Sequence, residues 1–215
     1  MAPQTVTPNT SNPYNFPVYP AEVYLTNEFW LKKMSYFLDY IDIDQNGQLS
    51  QNDKDLWVTR TIAEISKPLS PEEVQAFKTG VDHAWEWYGL MPDGPPITKK
   101  ESIKHMAEVT LQPGCVEHIK TISDRWFNLL DEDQDGVVSW KEFLKMQKGV
   151  GRDLSADAKV CFEAIDEDGN GAISKDEWGA AARGFFIGID PKSPSRLFWC
   201  DFDKVEASVE VPALA

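Results

Sequence analysis

Apolar residues recur at helical spacing along most of the chain, in segments that flank short polar loops. In the first such segment they fall at i, i+4, i+7, i+8 and i+11, which is typical of an amphipathic helix with one buried face. These residues are Trp30, Met34, Phe37, Leu38 and Ile41. Repeated along the chain, the pattern predicts an all-α protein of eight helices, arranged as two pairs of helix–loop–helix units.

Local signals mark the boundaries of these units. Ser70 followed by Pro71 and Glu73 predicts a capped helix start, and Pro113-Gly114 predicts a break between the two pairs. The predicted organisation is a flexible Pro-rich tail over 1–26, an N-terminal pair over 27–112, a C-terminal pair over 113–190, and a C-terminal segment over 191–215 that packs back on the core.

The two ends of the chain lack the features of targeting segments. Residues 1–25 contain five prolines and no Lys or Arg, so we interpret them as neither a signal peptide nor a membrane anchor. Near the other end, Leu197, Phe198 and Trp199 form an apolar run that would be unfavourable in water. We therefore expect this run to fold onto the helices, with residues 204–215 loosely attached.

Composition narrows the classes of function. The net charge of −14 disfavours nucleic acid and anionic membranes as partners and fits a cation-binding protein. The three cysteines, Cys115, Cys161 and Cys200, are odd in number and widely spaced, which favours a reducing, cytoplasmic environment over a disulfide framework. Most of the eight tryptophans are expected in the core.

The polar loops carry the chemistry. Ca²⁺ prefers six to eight oxygen ligands at about 2.3–2.6 Å. A twelve-residue loop supplies them from side chains at positions 1, 3 and 5, a backbone carbonyl at position 7, a water or side chain at position 9 and a carboxylate at position 12. Glycine at position 6 permits a turn that other residues resist.

Two segments in the second half of the chain meet all of these requirements. The predicted ligands are Asp131, Asp133, Asp135, Val137 and Glu142 in one loop, and Asp166, Asp168, Asn170, Ala172 and Glu177 in the other. Position 8 is apolar in both loops, so Val138 and Ile173 are expected to pair across a short strand contact. Two complete matches at this spacing are a strong signal for a pair of EF-hands.

A loop near the N-terminus matches with one difference. Its predicted ligands are Asp42, Asp44, Asn46, Gln48 and Asp53. Asp53 stands at position 12, where glutamate is usual, and its side chain is one methylene shorter. Because a six-oxygen shell then forms more easily, we expect a third calcium site that also accepts Mg²⁺.

The remaining loop is degenerate. If Ile97 is position 8 and Glu101 position 12, then Leu90 is position 1 and Pro95 replaces the glycine of position 6. Only the closing glutamate of the ligand set survives. We expect no ion there, and we interpret the loop as the structural partner of the first one.

These loops, in the order active, degenerate, active, active, resemble the sarcoplasmic calcium-binding proteins and the related coelenterazine-binding proteins and calcium-regulated photoproteins. The resemblance runs from about Phe29 to Trp199 and includes Asp53 at position 12. The segments at 29–34 and 185–199 look like the sarcoplasmic branch, and the segment at 153–162 looks like the coelenterazine-binding branch. The resemblance implies a compact fold in which two lobes face each other over an apolar interior.

Four functions follow from these observations. A cytosolic Ca²⁺/Mg²⁺ buffer is favoured, because the chain has only five Met and a sensor usually exposes a Met-rich groove. A carrier of a small aromatic ligand such as coelenterazine is the alternative, followed by a calcium sensor and a photoprotein. The photoprotein resemblance implies histidines on the first and last helices, but this chain has only His83, His105 and His118. We expect a monomer without enzymatic activity.

Overall fold

The computed structural model of the chain describes residues 17–149, 155–199 and 202–214. Within these ranges the chain forms ten α-helices, two 3-10 turns and four short strands. The helices are α1 (Ala21–Thr26), α2 (Glu28–Ile41), α3 (Gln51–Glu64), α4 (Pro71–Trp87), α5 (Lys99–Val109), α6 (Cys115–Leu130), α7 (Trp140–Gly149), α8 (Ser155–Ile165), α9 (Lys175–Ile187) and α10 (Phe202–Val205). The 3-10 turns are Pro194–Leu197 and Glu206–Ser208.

The strands pair the helix–loop–helix units as predicted. The strands β1 (Gln48–Leu49) and β2 (Ile97–Thr98) are antiparallel, as are β3 (Val137–Ser139) and β4 (Ala172–Ser174). Val138 lies opposite Ile173, and Leu49 lies opposite Ile97. All four units are therefore paired at position 8, and the prediction of two paired lobes is confirmed.

Helix boundaries also follow the sequence signals. The α4 helix begins with a capping box, in which Ser70 N–H donates to Glu73 Oε2 at 2.8 Å and Glu73 N–H donates to Ser70 Oγ at 3.1 Å. The C-terminal pair begins after Gly114, whose φ of 89° places it in the left-handed region that glycine adopts without strain. No helix in the described part of the chain has the length and apolar character needed to cross a bilayer.

The two lobes share one aromatic core. Helix α3 packs on α7, and α6 packs on both α4 and α9, so each lobe covers the apolar face of the other. Seven of the eight tryptophans are buried. The Trp57 ring centroid lies 6.1 Å from that of Trp85, 5.6 Å from Trp126 and 6.2 Å from Trp199. These rings come from both lobes and from the C-terminal segment, which makes the core continuous.

The N-terminal part differs from the sequence prediction of a flexible tail over 1–26. Residues 1–16 lie outside the described part of the chain, but residues 21–26 form α1 and the Tyr24 side chain is completely buried. The Tyr24 hydroxyl donates to the carbonyl of Ile187 at 3.1 Å. The prediction of a flexible tail is wrong for residues 21–26, because the carbonyl of Ile187 gives Tyr24 a buried hydrogen-bond partner. This carbonyl lies 163 residues away, so the local sequence pattern carries no sign of it.

Part of the C-terminal segment packs on the helices. Leu197, Phe198 and Trp199 are buried, and the Phe198 ring lies 4.9 Å from that of Trp178. The order extends further than expected, since residues beyond 203 also contact the buried clusters. These later residues are Val205, Val209, Val211 and Leu214. The expectation of a loosely attached 204–215 is therefore wrong for residues 204–214.

Lys33 is a buried lysine in α2, with 1% of its surface exposed. Its Nζ donates to the carbonyl of Gly188 at 2.7 Å and lies 4.9 Å from the ring centroid of Phe29 and 5.3 Å from that of Phe185. Among the described residues no carboxylate pairs with it. Burial lowers the pKa of Lys33 from 10.5 to about 7, because one carbonyl and two aromatic faces replace only part of the water lost by the ammonium group.

This buried amine predicts a pH-dependent stability. Between pH 7 and 10.5 the unfolded chain holds a proton on Lys33 that the folded chain has released, so stability rises with pH in this window. Relative to Lys33→Met, the free energy of unfolding of the native calcium-free protein should rise by about 2–3 kcal/mol from pH 7 to 9.5, measured by urea denaturation.

The neighbouring lysine supplies the control. Lys32 is more exposed and its Nζ lies 3.2 Å from Glu28 Oε1. A Lys32→Met variant should therefore show the same pH slope as the native protein. A constant difference between the native protein and Lys33→Met across this pH range would contradict the prediction.

Candidate calcium sites

Three acidic clusters lie in the loops predicted from the sequence. In each cluster the carboxylate oxygens of positions 1, 3 and 12 lie within 4.8 Å of one another. Oxygens bound to one Ca²⁺ can be no more than about 5 Å apart, so these separations fit a shared ion. The clusters are Asp42, Asp44 and Asp53; Asp131, Asp133 and Glu142; and Asp166, Asp168 and Glu177.

The position-1 aspartate organises each loop by accepting backbone hydrogen bonds. In the first loop Asp42 Oδ2 accepts from Gly47 N–H at 2.8 Å, and Asp42 Oδ1 accepts from Asn46 N–H at 3.2 Å. The other two loops repeat the glycine bond, from Gly136 to Asp131 at 3.1 Å and from Gly171 to Asp166 at 2.9 Å. The loops are thus closed into a similar shape by their own backbone donors.

The backbone of each loop turns through left-handed residues. The position-6 glycines Gly47, Gly136 and Gly171 have φ values of 84°, 90° and 88°. Position 4 is also left-handed in all three loops, at Gln45, Gln134 and Gly169. A Cβ at position 6 would meet no neighbouring atom, so the requirement for glycine there comes from the backbone conformation and not from lack of space.

The remaining predicted ligands lie along the same loops. At position 5, the side-chain oxygens of Asn46, Asp135 and Asn170 accept the backbone N–H two residues later, at 2.9, 3.0 and 2.9 Å. At position 7, Gln48, Val137 and Ala172 begin the short strands, as expected for residues that would offer a carbonyl. Asp135 lies outside the tight clusters formed by positions 1, 3 and 12.

The closing carboxylate of position 12 also starts the exiting helix. Glu142 Oε2 accepts from Ser139 N–H at 2.8 Å and from Ser139 Oγ–H at 2.7 Å, while Glu142 Oε1 accepts from Glu132 N–H at 2.8 Å. Glu177 makes equivalent bonds with Ser174 and with the N–H of Glu167. The same atoms therefore cap a helix, brace the loop and face the ion position.

These contacts shift the acidity of the carboxyl groups. Burial alone would raise the pKa of Glu142 and of Glu177, but hydrogen bonds from the position-9 serine and the loop backbone outweigh burial and lower both values. The pKa of Asp42 is raised, chiefly by burial and also by the charges of Asp53 and Asp44, against backbone bonds from Gly47 and Asn46. A bound cation would relieve this repulsion.

Asp53 makes the closing contacts despite its shorter side chain. It is completely buried, its Oδ1 accepts from Ile43 N–H at 2.9 Å, and its Oδ2 accepts from Ser50 N–H at 3.0 Å and Ser50 Oγ–H at 2.6 Å. The first loop therefore keeps the arrangement of the other two with one methylene fewer. This brings Asp53 into the cluster with Asp42 and Asp44.

The second loop keeps its shape without its ligands. Leu90 is buried at position 1, and position 4 is still left-handed, at Asp93. Glu101 is exposed and its Oε2 accepts from Thr98 N–H at 2.8 Å, a capping contact that lowers the pKa of Glu101. Gln51 Nε2 donates to the Met91 carbonyl at 3.0 Å and ties this loop to the first unit.

One neighbour of the third loop was missed from the sequence. Glu132, at position 2, accepts from Ser66 N–H of the other lobe at 3.2 Å and pairs with Lys145 Nζ at 2.5 Å. In the sequence Glu132 is one more acidic residue in an acidic loop, and nothing in the pattern indicates a separate role for it. The contact depends on how the lobes pack, for which the loop sequence carries no signal.

Comparison with known proteins agrees with this geometry. A model of the EF hand family matches residues 122–147 and 158–181, the third and fourth units. The chain is 28% identical over 176 residues to the luciferin-binding protein of Renilla reniformis, covering 80% of this chain and 94% of that protein. It is 26% identical over 177 residues to a sarcoplasmic calcium-binding protein of Perinereis vancaurica tetradentata, covering 80% and 98%.

A solved structure shares the fold. Calcium-loaded apo-aequorin from Aequorea victoria superposes with a TM-score of 0.62 at 22% identity, covering 77% of this chain and 94% of that one. With four paired units and three acidic loops, the chain is a calcium-binding protein whose third and fourth units match the EF hand model. It is similar to luciferin-binding protein, the photoproteins and the sarcoplasmic calcium-binding proteins.

The second loop yields a prediction about stoichiometry. Removing the charge of its closing residue, in Glu101→Gln, should leave the number of bound calcium ions unchanged, because Leu90 and Pro95 supply no side-chain oxygen. The matched change Glu177→Gln should remove one ion or weaken it at least about tenfold. Calorimetric titration of both variants measures this, and loss of an ion in Glu101→Gln would contradict the assignment.

Exchanging the two closing residue types yields a second prediction. Asp53→Glu should strengthen calcium at the first loop about tenfold and reduce competition from Mg²⁺, because a longer carboxylate reaches the ion with both oxygens. The reverse exchange at the third loop, Glu142→Asp, should weaken calcium and increase that competition. Titrations with and without millimolar Mg²⁺ measure both effects, and changes of the same sign in both variants would contradict this account.

Proposed function

We propose that the chain is a cytosolic Ca²⁺/Mg²⁺ buffer that holds three ions, in the first, third and fourth loops. The observation that carries this proposal is the filled interior. A cleft of about 410 Å³ between α4 and α6 is lined largely by charged and polar side chains, among them Lys67, Glu73 and Arg125, but the apolar cavity between the lobes has a free volume of only about 30 Å³. That volume admits one or two water molecules, whereas small-ligand sites usually occupy about 300–1,000 Å³.

The surface supports the same proposal. A calcium sensor presents an apolar groove to its target, but within the described ranges the only large hydrophobic residues that are well exposed are Met91 and Leu111. The groove between α8 and α9 is covered by the turn at Pro194–Leu197, which packs on both helices. A buffer needs the ion sites and no such groove.

The first loop supports the magnesium part of the proposal. The side chain of Asp53 is one methylene shorter than those of Glu142 and Glu177, although it makes the same contacts with the loop backbone and the serine at position 9. A smaller six-coordinate shell is easier to complete with this geometry, which suits Mg²⁺. In resting cytosol we therefore assign Mg²⁺ to this loop, with Ca²⁺ replacing it during a calcium rise.

A ligand carrier is the second candidate, and one observation favours it. Ser123 and Trp199 line the interior cavity, and the buried atoms Ser123 Oγ and Trp199 Nε1 have no hydrogen-bond partner among the residues that the structure describes. A heteroaromatic ligand with polar substituents could satisfy both atoms. The relative from Renilla reniformis is a luciferin-binding protein, which is consistent with this alternative. It would require the interior to open well beyond its present volume.

We also propose that the chain is not an enzyme. His83 and His118 lie on adjacent helices, with His118 Nε2 at 3.2 Å from the His83 carbonyl and Arg125 at 3.1 Å from His83 Nδ1. These contacts join α4 to α6, which supports a structural role. On α9, the last long helix, Arg183 and Phe186 stand where the photoprotein resemblance leads one to look for a histidine and a tryptophan.

The test compares the native protein with and without calcium, after incubation with coelenterazine. We expect three calcium ions per chain by calorimetry, one of them weakened by millimolar Mg²⁺. Binding should stabilise the protein against heat, by about 2.7 kcal/mol per site at a calcium concentration one hundred times Kd. Calcium should not increase binding of an apolar dye.

Each alternative has its own signature in the same experiment. If the protein retained the chromophore without calcium and released it with calcium, the proposed function would be that of a carrier and not that of a buffer. A calcium-triggered flash after charging would establish a photoprotein, and a calcium-induced rise in dye fluorescence would establish a sensor.

A further inference from the structure

Three side chains near the start of the chain bind the end of the last long helix. They donate to three consecutive carbonyl groups at the C-terminus of α9. The bonds are Trp30 Nε1 to Phe186 O at 2.8 Å, Tyr24 OH to Ile187 O at 3.1 Å, and Lys33 Nζ to Gly188 O at 2.7 Å. We call Tyr24, Trp30 and Lys33 the clasp. Each of the three is at most 1% exposed.

The clasp replaces the usual way of ending a helix. The last carbonyls of a helix lack partners, and a left-handed glycine commonly turns the chain back to supply them. Gly188 instead has φ −73° and ψ 138°, so the chain leaves α9 in an extended direction. Side chains from α1 and α2 then donate the hydrogen bonds that the last carbonyl groups of α9 would otherwise lack.

The residue at 188 is restricted by space as well. A Cβ built on Gly188 would lie 2.3 Å from the Gly184 carbonyl oxygen, a backbone atom that cannot move aside. The chain direction at this point is therefore fixed, and with it the positions of the carbonyls that the clasp binds.

Two helices and the clasp form a direct route between two ion sites. Glu177, the closing residue of the fourth loop, is the third residue of α9, and the clasp holds the other end of that helix. Helix α2 carries Trp30 and Lys33 and ends at Asp42, the first ligand of the first loop. Between these ends the Phe37 ring lies 6.0 Å from Phe185 and 5.2 Å from Phe186. No flexible linker interrupts this route.

We propose that the clasp couples the first and fourth calcium loops, so that calcium in the fourth loop raises the affinity of the first. Because the Glu177 oxygens that face the ion position also accept bonds from the loop backbone and Ser174, a bound ion would change how α9 begins, and the clasp would transmit a shift of this helix to α2 and Asp42. The coupling is reciprocal, as any equilibrium linkage must be. The proposal rests on the ion assignments made above for these two loops.

Apart from the clasp and the ring contacts of Phe37 with Phe185 and Phe186, the main contacts between units connect different pairs of loops. The strand pairs join the first loop to the second and the third loop to the fourth. Helix α3, which leaves the first loop, packs on α7, which leaves the third. A variant of the clasp therefore changes one specific connection, from the fourth loop to the first, and leaves these others in place.

Glycine amides provide a separate readout for each loop. The N–H groups of Gly47 and Gly171 donate to the position-1 aspartates Asp42 and Asp166, so their NMR signals respond to ion binding in the first and fourth loops. A calcium titration of glycine-labelled protein follows both. The titration is repeated in Glu177→Gln, which disables the fourth loop, with an intact clasp and with the clasp weakened by Tyr24→Phe and Lys33→Met together.

The proposal predicts a specific pattern. With the clasp intact, Glu177→Gln should raise the calcium concentration at the midpoint of the Gly47 shift by about fivefold or more. With the weakened clasp, Glu177→Gln should change that midpoint less than about twofold. Ser102→Ala is the matched control: it removes a buried 2.5 Å bond from Ser102 Oγ to the carbonyl of Tyr88, whose ring lies 6.2 Å from that of Phe186, but it leaves the three clasp bonds in place and should keep the full effect.

Two results would overturn the coupling. One is a calcium concentration at the midpoint of the Gly47 shift that stays the same in Glu177→Gln although the clasp is intact. This measurement requires no substitution in the clasp. The other is a shift of the Gly47 midpoint by Glu177→Gln that is equally large when the clasp is weakened. If the combination of Tyr24→Phe and Lys33→Met does not fold, Tyr24→Phe combined with Trp30→Phe serves as the weakened clasp. A Gly47 signal that never responds to calcium would overturn the assignment of the first loop itself and is distinguishable from both.

Discussion

The closing carboxylate of each active loop has two roles that cannot be separated. Asp53, Glu142 and Glu177 each accept hydrogen bonds from the serine at position 9 and from the backbone of the loop. The first contact starts the exiting helix, and the second brings the carboxylate beside the first ligands. Because these are the atoms that face the ion position, any movement of the carboxylate toward the ion also changes how the exiting helix begins. The placement of α3, α7 and α9 depends on this constraint.

The degenerate loop shows which part of this arrangement is structural. Glu101 still caps α5 through Thr98, and Ile97 still pairs with Leu49, although Leu90 and Pro95 leave the loop without side-chain ligands. The capping and strand contacts therefore suffice to hold a unit in its pair. On the proposed assignment the first ion would have no second ion as a partner in the N-terminal lobe, so cooperation that involves the first ion would have to cross to the other lobe.

Much of the fold could be predicted from the sequence because its determinants are local. The ligands of a loop lie within twelve residues, and position 8 identifies the strand contact, so Val138 and Ile173 could be paired in advance. The helix α1 could not, since Tyr24 is buried against a carbonyl 163 residues away. Lys33 did leave a signal, a charged residue one helical turn after Phe29 on the apolar face of α2. Its partner, a backbone carbonyl, has no signature in any sequence pattern.

The aromatic core also determines what light spectroscopy can report on this protein. Three indole rings, those of Trp85, Trp126 and Trp199, have centroids about 6 Å from the centroid of Trp57. The four rings come from α3, α4, α6 and the C-terminal segment. At such separations excitation passes from one indole to another before emission. The intrinsic fluorescence is therefore a collective property of both lobes, and no emission change on adding an ion can be assigned to a single lobe.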